Sequence, residues 1–114
     1  MAILPNAERA IIKLEKLKNY ILSSEHTVGR LKAAFFRTFG YLPSNSEAFE
    51  RDLRKLIQSQ EAVECETSKF GMKYKVKGPL NSPSGKTIQV FTVWVILKGE
   101  KFPRFVTAYS GGKK

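Results

Sequence analysis

After Gln60 the apolar period of this chain changes from about 3.6 residues to two. No other feature limits the fold so strongly, because a pattern at helical spacing does not settle into a strand, nor the reverse. Before the change, Leu14, Leu17 and Ile21 in "KLEKLKNYILS" stand at i, i+3 and i+7, with lysines on the other side and a stop near Ser23 and Ser24. A second helix is expected from about Val28 to Phe39, ended by Gly40 as C-cap. "YLPSNSEAFE" reads as a turn in which Ser44 and Glu47 form a capping box. The third helix that follows buries Phe49, Leu53, Leu56 and Ile57 and runs to about Gln60.

Beyond Gln60, "AVECETS" alternates weakly and "MKYKVKG" sharply, with Met72, Tyr74 and Val76 opposed to Lys73, Lys75 and Lys77. "GPLNSPSGK", Gly78 to Lys86, has the composition of a loop. "TIQVFTVWVIL" is apolar on both faces, as in a covered central strand, with Phe91 and Trp94 expected in the core. A turn at Gly99 leads to "RFVTAYS" as the last strand. Consecutive strands with short connections pair antiparallel. The expected fold is therefore α+β, with three N-terminal helices packed on one face of a four-stranded antiparallel sheet and the other face at least partly exposed. Residues 1–114 form one domain: an N-terminal segment 1–12, a helical part 13–60, a meander 61–110 and a mobile tail 111–114. Ala10 to Ile12 should add an edge strand or a staple to the sheet.

With 42% apolar residues and 8 Phe, such a chain buries a core without staples. The single cysteine, Cys65, forms no internal disulfide. Neither a signal peptide nor a run of the roughly 20 apolar residues of a membrane span is legible, so the expectation is a soluble cytoplasmic protein. Lys and Arg total 20 against 10 Asp and Glu, a net charge of +10. A field of that sign attracts polyanions, which makes nucleic acid the first partner class to consider and RNA or another polyanion the expected partner, although a basic balance also serves solubility alone. Oligomeric state leaves no mark on the sequence.

The stretch "SSEHTVGRLKAAFF" holds the only histidine. On a wheel of about 100° per residue, Val28, Leu31, Phe35 and Phe39 share one face of the second helix. His26, Arg30 and Arg37 lie opposite, and Lys32 stands about 40° from the apolar stripe, where it must snorkel or point into a cleft. Cleaving a phosphodiester without a metal needs a base for the 2′-hydroxyl, an acid for the leaving oxygen and cations for the transition state. Histidine suits either proton transfer, and arginine, lysine, threonine and tyrosine suit the other tasks. One His and one Cys make no zinc site, and no phosphate-binding glycine loop or Ser/His/Asp motif occurs. No metal or cofactor is expected. A histidine ahead of a helix is, however, more often a cap or a surface residue. Lys73, Lys75 and Lys77 are either the wet side of an edge strand or a phosphate track.

Several blocks carry a family resemblance: the L-P-N-A opening, E-H-x-V-G-R-x-K-A-x-F-F, K-Y-x-V-x-G-P-L, T-V-W and the closing T-A-Y. Together, from Leu4 to Tyr109, they resemble a small bacterial and cyanobacterial domain family of unknown function. Helices followed by a four-stranded meander are also similar to the barnase–EndoU–colicin–RelE group of metal-independent ribonucleases. That second resemblance implies an early site at His26, Arg30 and Lys32 and a late one at Thr107 and Tyr109. This chain departs from it in ending T-A-Y-S where T-A-Y-P is usual, and in lacking a second histidine. Lys32, Tyr109 or Arg104 must then supply the second proton-transfer group or charge stabiliser.

Thr107 and Tyr109 lie on one face of the last strand, as Thr92 and Trp94 do on its neighbour. If those faces look toward the start of the second helix, the early and late residues share one cleft; if they face apart, that shared site dissolves. Three readings follow. One is a metal-independent endoribonuclease or toxin-like domain using His26, Arg30, Lys32, Thr107 and Tyr109. The second is a non-catalytic nucleic-acid-binding module that uses Lys73, Lys75, Lys77 and Arg104. The third is the partner-binding component of a toxin–antitoxin-like pair, its partner encoded nearby.

Overall fold

The period-2 half of the chain forms the frame. In the computed structural model, which describes residues 3–13, 15, 17 and 36–110, four strands make one antiparallel meander in the order β1-β2-β3-β4. They are β1 (Ala62–Ser68), β2 (Gly71–Asn81), β3 (Thr87–Leu97) and β4 (Arg104–Ser110). β1 carries a bulge between Glu64 and Glu66, and β4 shifts register where it passes Val93 and Trp94. The expected loop at Gly78 to Lys86 is shorter than its composition suggests, because β2 continues through Gly78, Pro79 and Leu80 to Asn81. The last β1 partner is Ala62, opposite Val76. Pro79 therefore sits where β2 has become an edge, the position in a sheet that tolerates a residue without an N–H.

One face of the sheet is the core. Val76 and Leu80 of β2, Ile88, Val90 and Trp94 of β3, and Phe105 and Ala108 of β4 are buried on it. Thr92 is a buried polar residue among them: its Oγ1 donates to the Val76 carbonyl (3.0 Å) and accepts from Trp94 Nε1 (2.8 Å). Against this face packs α1 (Ser46–Ser59), whose Phe49, Leu53, Leu56 and Ile57 are buried as the spacing predicts. The Phe49 ring lies 4.8 Å from those of Phe36 and Tyr41, and the Tyr41 hydroxyl donates to Asp52 (2.6 Å). The Ser44–Glu47 capping box does not form. A 3-10 turn, Pro43–Asn45, precedes the helix, and the Asn45 side chain turns back to accept from Leu42 N–H (2.7 Å) and donate to the Gly40 carbonyl (3.0 Å).

Residues 36–38 are helical and end at Gly40, whose φ of 99° is the left-handed C-cap conformation expected there. Three helices were expected. The described residues hold one α-helix of more than one turn, this short helical end, helical backbone at Glu15 and Leu17, and two 3-10 turns, Ala7–Arg9 and Pro43–Asn45. Nearly all of the first two expected helices, and the tail 111–114, lie outside the described residues, although Leu17 is described and buried. The N-terminal segment does staple the sheet. Ile11 forms a parallel bridge with Arg104, donating to Pro103 O (2.8 Å) and accepting from Phe105 N–H (3.0 Å). Arg54 of α1 donates to Ala10 O (2.7 Å) from the other side.

Candidate nucleic-acid interface

Because strand side chains alternate, a sheet with helix on one face presents every second residue on the other. Strand register orders that second face into three rows. Lys77, Phe91 and Tyr109 lie across β2, β3 and β4; beside them come Lys75, Val93 and Thr107, then Lys73, Val95 and Arg104. Successive lysines along β2 stand about 6.8 Å apart, two strand rises. Residues that the sequence presents as separate groups thus share one open face.

Its chemistry is basic and aromatic. The ammonium groups of Lys75 and Lys77 stand 5.0 and 5.5 Å from the Phe91 ring centroid, within cation–π range. On its other flank Phe91 packs against Tyr109, with ring centroids 5.5 Å apart and a tilt of 33°. Neither Lys75 nor Lys77 has a carboxylate partner among the described residues. An open groove of about 470 Å³ lies here, with Phe91, Lys75 and Lys77 on one side, Val63 and Cys65 of β1 on the other, and Gln60 and Glu61 at its end. Val63 is 59% exposed, an apolar wall left uncovered. Arg104 differs from the lysines. Glu100 accepts two hydrogen bonds from it, at 2.9 and 3.1 Å, and is held below the usual carboxylate range by them.

Two expectations are corrected by this geometry. Phe91 is not in the core: Trp94 and Phe91 are three residues apart on one strand, so burying Trp94 turns Phe91 to the open face, where it is half-buried. Lys73 and Lys75 are not on an edge strand, since β2 has β1 on one side and β3 on the other. Thr107 and Tyr109 do not share a face with Thr92 and Trp94. They oppose Val93 and Phe91, while Thr92 and Trp94 oppose Ala108 and Phe105 in the core. His26, Arg30 and Lys32 lie outside the described residues. Of the candidate site residues, the structure therefore brings together Thr107, Tyr109, Lys73, Lys75, Lys77 and Arg104 on one face. Phe91 and Val63, which sequence reasoning did not place there, join them; parity with Trp94 was the available signal for Phe91.

A family model described as Domain of unknown function (DUF6883) matches residues 3–112. The chain belongs to the DUF6883 family. Comparison with curated proteins gives this DUF6883 domain no match. Among solved structures, its fold is similar to a chain of a contact-dependent growth inhibition toxin–immunity protein complex from Klebsiella pneumoniae 342. The TM-score is 0.70 at 15% identity, over 94% of this chain and 97% of that one. In this DUF6883 domain no described helix is long and apolar enough to cross a membrane, and no three His, Cys, Asp or Glu cluster among the described residues.

Proposed function

We propose that this DUF6883 domain is a toxin-type endoribonuclease that binds RNA on the open face of its sheet and cleaves it without a metal. The observation that carries the reading is the shared face itself. Two hydroxyl residues suited to positioning a phosphate, Thr107 and Tyr109, lie in register with a lysine track and an aromatic ring. The likeness to a chain from a toxin–immunity complex supports it at the level of the fold. In this reading His26 takes the proton of a ribose 2′-hydroxyl as that oxygen attacks the phosphorus. Lys32 or Tyr109 returns a proton to the departing 5′-oxygen, leaving a 2′,3′-cyclic phosphate and a free 5′-hydroxyl. Arg30 stabilises the added negative charge, while Lys73, Lys75 and Lys77 hold the flanking backbone. Arg104, already engaged by Glu100, contributes charge rather than a proton.

Total RNA and tRNA incubated with the protein in excess EDTA test this directly. Wild type should cleave, and folded His26→Ala should be slower by about 10²- to 10⁴-fold, the usual worth of general acid–base catalysis. Absence of cleavage by folded wild type overturns the enzyme reading. The toxin–immunity complex favours one second reading, in which the same basic face docks an acidic protein partner. Tight binding of such a partner, lost on substituting Lys75 and Lys77, without any cleavage, would establish that reading instead.

A further inference from the structure

We propose that the groove between β1 and β3 is a subsite for one unstacked nucleotide of single-stranded RNA, its base on Phe91 and its phosphates on Lys75 and Lys77. This deepens the reading of the open face as an RNA surface and rests on it. Size comes first. A groove of about 470 Å³ falls within the range of small-molecule sites, too small a volume to enclose a duplex. Its composition is that of single-strand recognition, a cationic track beside an aromatic ring and an apolar wall. Phe91 offers the ring and Val63 the wall.

The lysines add a second argument. Lys75 and Lys77 rest on the Phe91 ring without a carboxylate partner among the described residues, so their charge is held in place and left uncompensated. A phosphate outcompetes a ring quadrupole for an ammonium group. Moving the two ammonium groups outward onto phosphate exposes the ring face they had covered, and a base can then stack there. Glu61 at the groove's end repels phosphate but accepts N–H groups of a base edge, which orients the nucleotide with its backbone toward the lysines.

The test uses the whole protein and a short 2′-O-methyl oligoribonucleotide carrying one 2-aminopurine, which cannot be cleaved at its 2′ positions. Binding to wild type should quench the 2-aminopurine fluorescence through stacking. Folded Phe91→Leu should lose the quench and bind about 5- to 150-fold more weakly, the usual worth of one stacked base. Phe91→Trp should keep both, which separates stacking from any loss of fold. Lys75→Ala with Lys77→Ala should lower the slope of log Kd against log salt by about 1.4, two single-strand phosphate contacts.

Phe91→Leu that melts like wild type, binds as tightly and quenches as fully overturns the subsite, even if wild type cleaves RNA. Quenching with no cleavage of ordinary RNA keeps the subsite and overturns the nuclease reading. Equal affinity for polyglutamate, without quenching by the oligonucleotide, overturns the subsite in favour of an acidic protein partner.

Discussion

Thr92 shows how much one side chain decides. It is a polar residue at zero exposure, and it is tolerated because its hydroxyl both donates and accepts within the core. Trp94, equally buried, relies on that oxygen for its indole N–H. Thr92→Val keeps the shape and removes the acceptor, so it leaves the indole N–H unpaired in an apolar surrounding. The expected loss is about 1–3 kcal/mol of stability, read as a lower urea midpoint with an unchanged m-value. Thr92→Ser should recover most of it. The sequence marks Thr92 and Trp94 as sharing a face. That their face is the dry one follows only from the packing of α1.

At the scale of elements, the β2–β3 ladder is the longest pairing among the described residues, in register from Gly71 opposite Leu97 to Asn81 opposite Thr87. Gly71 is a point of close approach in it. A Cβ there would run onto the Ile96 carbonyl oxygen and stand 2.8 Å from Leu97 Cα. Those are backbone atoms, so relief requires β2 to part from β3. Gly71→Ala should cost about 1–3 kcal/mol, measured by chemical denaturation, and should loosen the β1–β2 hairpin first by hydrogen exchange. The strand ranges Thr87–Leu97 and Arg104–Ser110 were legible as short apolar runs, because each has a turn glycine or proline ahead of it. The end of β2 was not. Local composition at "GPLNSP" argues for a loop, and only the end of β1 at Ala62, opposite Val76, creates the edge where Pro79 fits.

Over the whole molecule, as far as its described residues go, the two sides of one sheet differ: burial on the α1 side, a lysine track beside aromatic rings on the other. Alkaline pH acts on the buried side through Tyr41. Burial, then the hydrogen bond to Asp52 and the charge of that carboxylate, push its hydroxyl above the usual tyrosine value of about 10. A phenol whose pKa is raised on folding contributes stability that is fully present below the unfolded value and lost as pH rises beyond it. Stability should therefore fall above about pH 10. Tyr41→Phe should flatten that fall, so the difference between the two unfolding curves isolates it. An identical slope in both proteins would mean that Tyr41 ionises freely when folded.

By itself, the sequence determined the class and order of this fold: helical spacing before Gln60, two-residue spacing after it, a meander of four strands, and a strong positive charge. These are local properties, set by side-chain period and turn chemistry within a few residues. The lysine alternation on β2 and the pairing of Thr107 with Tyr109 were legible for the same reason. Tertiary structure alone decided which face is buried, and with it that Phe91 leaves the core and joins the lysines, Thr107 and Tyr109. A strand's period says that two faces differ. Only the element packed against the sheet says which of them meets water.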